Sequence, residues 1–177
     1  MTSFNVAGLL RETPGASRLI RLRDHYVSLG PDLELAGPVD ADLRLLRTNR
    51  GILVRGEART ALRRTCTRCT DPLVEDVTVP VQEEYLPTID PETGAAVTWT
   101  GEEDARRIDE HHEIELDPVL REELLLSEPM FVLCRPDCPG LCPECGARLD
   151  DPGHRVHEPE PDPRLAGLAA LLEERRE

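Results

Sequence analysis

Apolar and polar residues alternate with period two through three successive runs between residues 39 and 85, the clearest pattern in the 177-residue chain. Val39, Ala41, Leu43 and Leu45 share one face of the first run, and Ile52, Val54, Ala58 and Leu62 share one face of the second. Val77, Val79, Val81 and Tyr85 do so in the third. A strand sends successive side chains to opposite faces, so each run predicts a strand with one buried side. Thr48-Asn49-Arg50-Gly51 lies between the first two, and its asparagine and glycine tolerate positive φ. A two-residue loop there pairs odd positions of the first strand with even positions of the second, which puts both apolar faces on one side of an antiparallel sheet.

The pattern then changes. Residues 87–110 are acidic, contain Pro91-Glu92-Thr93-Gly94 and hold no sustained period, which predicts a long loop. Ile114 and Leu116 alternate with acidic residues as a short strand. Asp117-Pro118 opens a helix with Asp117 as N-cap and Val119, Leu120, Leu124 and Leu125 as its apolar stripe, ending before Pro129. A second Asp-Pro start at Asp162-Pro163 opens a terminal helix with Leu165, Leu168, Ala169 and Leu172 on one face. The expected class is α+β: an antiparallel β-sheet or partial barrel over residues 1–133, with a helix near 118–128. A cysteine-rich module with the terminal helix follows over 134–177.

Aromatic residues make up only 3% of the chain, so the core depends on Leu, Val and Ile and gains from metal staples. The six cysteines supply them: Cys66-x2-Cys69, then Cys134-x3-Cys138-x3-Cys142-x2-Cys145, followed by His154-x2-His157. A Cys-x2-Cys bend offers two thiolates to one ion, and zinc takes four N or S donors, so these residues suffice for one or two zinc ions. The first pair falls between strands two and three, predicting a zinc-knuckle hairpin. The opening MTSFNVAGLLRETPG does not read as a secretory signal, and no run approaches the ~18 apolar residues of a membrane span. A cytoplasmic chain keeps its thiols reduced, which favours metal over disulfides.

Two ways of sharing the ligands are open. Cys142, Cys145, His154 and His157 can close a local mixed site, leaving Cys134 and Cys138 to join Cys66 and Cys69 in a site that bridges to the hairpin. Alternatively, Cys134, Cys138, Cys142 and Cys145 take one ion, a set that loop closure favours only logarithmically. The bridged arrangement is preferred. His111 and His112, in the acidic run EHHEIE, read as a solvated strand edge.

A formal net charge of −14 argues against a surface built for non-specific nucleic-acid binding. It suits a basic protein partner, or a nucleic-acid contact confined to one patch. Arg55, Arg59 and Arg63 share the outward face of the second strand, Arg44 lies beside them, and Arg64 and Arg68 approach the knuckle. Together they form a candidate RNA-binding stripe, with Asp40, Asp42, Glu57 and Asp76 as competing cross-strand partners.

Cys66-Thr67-Arg68-Cys69, the string from Leu133 through Cys134-Arg135-Pro136-Asp137-Cys138-Pro139-Gly140-Leu141-Cys142-Pro143-Glu144-Cys145 to Gly146, and Asp162-Pro163-Arg164-Leu165 resemble the YceD-like bacterial proteins, domain of unknown function family 177. The resemblance implies a non-enzymatic, metal-binding protein needed for accumulation of large-subunit ribosomal RNA. Its implied partners are the large-subunit precursor, through ribosomal RNA or a basic ribosomal protein, with no membrane and no small-molecule substrate. Where members often continue into a further Cys-x-Cys, this chain has His154-x2-His157; where an Asn-rich stretch is usual, it has Ala147-Arg148-Leu149-Asp150.

Two other classes compete. Cys142-Pro143-Glu144-Cys145 could serve thiol redox chemistry, although such a motif normally opens a helix in a βαβ unit and here Gly146 follows it. A zinc-dependent nucleic-acid-binding regulator would need a recognition helix, and none is visible. No catalytic constellation is evident.

Overall fold

A computed structural model of the chain describes residues 2–31, 33–102, 104–155, 157 and 164. In order they form β1 (Ser3–Asn5), α1 (Ala7–Leu10), β2 (Ser17–His25), β3 (Glu34–Leu35) and β4 (Val39–Arg47). The long strands β5 (Ile52–Thr65) and β6 (Pro72–Pro87) follow, then β7 (Arg106–Ile108), β8 (Glu113–Glu115) and α2 (Asp117–Leu126). The class is α+β, and mostly sheet.

The main sheet has the order β2-β4-β5-β6-β7, with β3 added alongside β5. It stays open, so it forms no closed barrel. Its three central strands are those predicted by alternation: Ala41 pairs with Ala58 and Leu45 with Val54, while Ala58 pairs on its other side with Val79. Val39, Ala41, Leu43, Leu45, Ile52, Val54, Ala58 and Leu62 are all buried against the core. Each large apolar side chain buried there contributes about 1.5–3 kcal/mol.

The β4–β5 turn closes as a two-residue loop, with the Thr48 N–H donating to the Gly51 carbonyl and the Gly51 N–H donating to Thr48 Oγ1. Neither Asn49 nor Gly51 takes the positive φ that the sequence suggests. Gly51 is needed for space instead, because a Cβ there would lie 2.0 Å from the Tyr85 carbonyl oxygen of β6.

Elements outside the alternating runs complete the core. Leu9 and Leu10 of α1, Leu22 of β2, Ile108 of β7, Ile114 of β8, and Leu120 and Leu124 of α2 pack under the sheet. β7 lies inside the stretch expected to be loop and pairs in parallel with β6, so the sheet is not wholly antiparallel. β8 pairs with β1 in a separate two-stranded sheet.

The helix start also differs. Leu116 is the N-cap and Asp117 the first helical residue, with no side-chain cap; the Asp117 carboxylate instead pairs with His25 Nε2 at 2.8 Å. Leu125, expected in the apolar stripe, is exposed. The terminal helix expected from Asp162-Pro163 lies outside the described residues. Among those described, no helix is long and apolar enough to cross a membrane.

Candidate metal centre

The loop joining β5 to β6 is a knuckle. The Cys66 N–H donates to the Asp71 carbonyl and the Thr70 N–H to the Cys66 carbonyl, each at 2.9 Å, with Thr70 at φ 61°. This bend brings Cys66 and Cys69 side by side. The chain after α2 then passes close to it: the Thr67 N–H donates to the Val132 carbonyl at 2.8 Å, and Arg68 Nη1 donates to the Cys138 carbonyl at 2.8 Å. Gly140, at φ 85°, permits that approach, since a Cβ would sit 3.0 Å from the Arg68 carbonyl oxygen.

Cys66, Cys69, Cys134 and Cys138 consequently converge, with one sulfur from each lying within 4.8 Å of the others. Cys66 Sγ is 3.8 Å from Cys138 Sγ, and Cys69 Sγ is 3.6 Å from Cys134 Sγ. Those separations are far longer than the ~2.05 Å of a disulfide. They match the edge, about 3.8 Å, of a tetrahedron with metal–sulfur bonds of about 2.3 Å. Cys66, Cys69 and Cys138 are buried with Leu73, Leu133 and Leu141 packed against them, while Cys134 is exposed.

A second knuckle repeats the first bond for bond. The Cys142 N–H donates to the Ala147 carbonyl at 2.7 Å and the Gly146 N–H to the Cys142 carbonyl at 2.9 Å, with Gly146 at φ 70°. Cys142, Cys145, His154 and His157 form the second convergent group. His154 Nε2 is buried without a hydrogen-bond partner, as a nitrogen reserved for a metal would be. The convergence is the bridged one; the local set of Cys134, Cys138, Cys142 and Cys145 is not among the groups that assemble. His111 and His112 belong to neither group.

The knuckle backbone also tunes the thiols. Hydrogen bonding from the Cys69 backbone, against the opposing effect of burial, draws Cys66 down to about 6. The Cys145 backbone does the same for Cys142, to about 7. At Cys69 the Asp71 backbone favours the thiolate, but burial and the Cys66 thiol outweigh it and push the group up to about 12. Burial, reinforced by Cys138, raises Cys134. Four thiols packed this closely cannot all ionise unless a cation joins them.

An ion-pair network connects the two groups and was not foreseen from the sequence. Arg148 binds Asp71 of the first knuckle through Nη1 and Asp150 through Nε at 2.9 Å, and Arg135 Nη2 reaches Asp150 at 2.6 Å. Only the proximity of Arg148 and Asp150 to the ligand string hinted at it.

The six stripe arginines do not act alike. Arg59 pairs with Glu57 at 2.9 Å and Arg63 with Glu34 at 3.5 Å. Arg68 is turned into the Cys138 carbonyl. Arg64 is not on the stripe at all: its side chain is 4% exposed and is held by Glu75 and, at 2.8 Å, by Glu128. Its position in β5 shares the parity of Ile52, Val54, Ala58 and Leu62, which places it on the inner face. Arg44 and Arg55 remain, directly opposite each other across β4 and β5.

The region holding both groups coincides with a known family. The family described as "Large ribosomal RNA subunit accumulation protein YceD" matches residues 54–172, from β5 past both knuckles. The chain belongs to the YceD family. Uncharacterised proteins of Mycobacterium tuberculosis and Mycobacterium bovis are each 37% identical to it over 135 residues, covering 76% of this chain and 62% of their own length. The maize "Large ribosomal RNA subunit accumulation protein YCED homolog 1, chloroplastic" is 29% identical over 159 residues, covering 76% of this chain and 52% of its own. The chain therefore spans less than two thirds of the length of these relatives. No solved structure matches it.

Proposed function

We propose that this chain is a non-enzymatic zinc protein that supports accumulation of large-subunit ribosomal RNA. One zinc is held by Cys66, Cys69, Cys134 and Cys138, the other by Cys142, Cys145, His154 and His157. The observation that carries the proposal is the convergence of these two donor sets within the span matched by the YceD family. Thiolate and imidazole donors in fours suit tetrahedral zinc, and a site with all four positions filled by protein leaves none for activating water. Zinc would therefore act here as a staple, fixing the post-α2 string to the β5–β6 tip.

The partner in this reading is the precursor of the large ribosomal subunit, reached through its RNA or a basic ribosomal protein in the cytoplasm. The maize relative's name supplies the ribosomal RNA connection. Density-gradient sedimentation of ribosomes from depleted cells tests the role. A specific deficit of large subunits, with this protein cosedimenting with their precursors, is expected; an unchanged profile overturns it. Zinc content tests the chemistry separately, with two equivalents expected. Exposure of Cys145 and the lowered Cys142 thiol favour thiol redox chemistry as the second reading. Rapid alkylation of both thiols in zinc-loaded protein would establish that reading, whereas protection abolished by a chelator excludes it.

A further inference from the structure

Across the open sheet, on the face turned away from the core, register aligns Leu19 of β2, Arg44 of β4, Arg55 of β5 and Gln82 of β6 in one row. Like charges placed directly opposite on neighbouring strands repel, so the Arg44–Arg55 pair carries a cost. Nearby acids do not relieve it. Asp42 accepts from Arg23 at 2.6 Å and lies 3.8 Å from Arg21, and Glu57 is taken by Arg59. Arg23 is also committed, donating to the Leu22 and Ala41 carbonyls. Among the described residues, no ion pair involves Arg44 or Arg55.

The same row borders a groove of about 560 Å³, lined by Leu19, Arg21, Arg44 and Arg55 together with the paired Arg23 and Asp42, among others. Leu19 is 62% exposed, an apolar side chain opposite Arg44 in the register and in the same groove as Arg55. Two adjacent guanidiniums can each take a phosphate oxygen pair, and an apolar neighbour can cover a sugar or base. The net charge of −14 on the whole chain suits a contact confined to one such patch.

We infer that the Arg44–Arg55 groove is the seat of a single-stranded RNA backbone, with two consecutive phosphates on the two arginines and Leu19 against the nucleoside. The inference rests on the ribosomal RNA reading above and narrows the six-arginine stripe to one row. Arg59, Arg63 and Arg64, neutralised by their own partners, are excluded from the contact.

The test uses the full, zinc-loaded chain and fluorescence anisotropy with a labelled single-stranded RNA of about 12 nucleotides, a length within the usual single-strand site sizes. Two double variants are compared, Arg44→Gln/Arg55→Gln and Arg59→Gln/Arg63→Gln, with circular dichroism showing that each keeps its sheet. Binding of the first should weaken about tenfold or more, and the slope of log K against log salt should fall by about 1.4, as for two lost single-strand phosphate contacts. The second should bind within about twofold of the parent chain. Equal weakening in both variants, or none in either, overturns the assignment. Tripolyphosphate binding that depends on Arg44 and Arg55, without RNA binding, reassigns the groove to a soluble polyphosphate and also overturns it. A chain that binds no RNA, yet whose depletion still removes large subunits, overturns the groove assignment while leaving the accumulation role standing.

Discussion

In the Cys66–Asp71 knuckle both thiols are buried, at 1% and 3% exposure, whereas in the Cys142–Ala147 knuckle Cys142 is buried and Cys145 stands in solvent. The backbone hydrogen bonds are the same in both. The difference lies in what surrounds each bend. The first sits at the end of two long strands and receives Cys134 and Cys138 from a segment 65 or more residues away, with Leu73, Leu133 and Leu141 closing over it. The second draws all its donors from 16 consecutive positions, Cys142 to His157, at the surface. A local bend thus makes a pair of neighbouring thiols, while tertiary packing decides whether that pair is closed into the interior or left at the surface.

The largest expected effect comes from removing a buried ligand. If zinc is bound there as proposed, Cys138→Ser should cost on the order of 5 kcal/mol, because its binding would be folding free energy and the buried Cys66 and Cys69 thiols would be left crowded. Thermal unfolding alongside zinc analysis reads both quantities at once. Cys145→Ser should also lose one zinc equivalent, yet shift the stability of the sheet by no more than about 1 kcal/mol, as an exposed substitution does. Similar losses from the two variants would erase the contrast between the sites.

The inner-face arginine comes next. Arg64 joins β5 to Glu75 of β6 and to Glu128 just after α2, tying the sheet to the segment that carries Cys134. Arg64→Ala should cost about 2 kcal/mol in urea unfolding through loss of the charged hydrogen bond to Glu75 and the ion pair with Glu128. It should also make the buried site release zinc to a chelator faster, while the exposed site is unaffected.

A smaller effect separates the knuckles at one position. Both bends need a left-handed residue four places after the first cysteine: Gly146 in the second, but Thr70, a β-branched residue, in the first. Such a conformation costs a non-glycine residue about 1–2 kcal/mol. Thr70→Gly should therefore stabilise the chain by about 1 kcal/mol, and Gly146→Thr should weaken the second site by a similar amount, measured as unfolding midpoint and zinc affinity respectively.

The smallest effect is on pH. Arg148, then Arg135, hold the Asp150 carboxyl below the usual carboxylate range, and Arg148 lowers Asp71 as well. A depressed folded value means a contribution fully present above the unfolded value near pH 4, and lost as pH falls through the folded value. The stability difference between the parent chain and Arg148→Ala should stay constant from about pH 7 to 5 and shrink below about pH 4. A difference that grew on acidification would rule out this role for the network.

The chain's own order of residues determined a good deal. Strict alternation marked the buried faces of β4, β5 and β6, because a strand with one wet side has no other way to arrange its apolar residues. Cys-x2-Cys spacing marked both knuckles, since that bend is local, and Asp117-Pro118 marked the start of α2 to within a residue. Short or edge elements were not legible. β7 buries Ile108 within only three residues, too few to show a period, and its identity as a strand comes from lying parallel to β6.

Only the tertiary structure decided which cysteines meet, because contacts between positions 66–69 and 134–138 depend on how α2 returns the chain to the hairpin tip. It likewise divided the arginines. Their shared parity is a property of β5, but the acids that neutralise Arg63 and Arg64 come from β3, β6 and the segment after α2. Periodicity reports which side of a strand a residue occupies; the charge it meets there is set by neighbours that are remote in sequence.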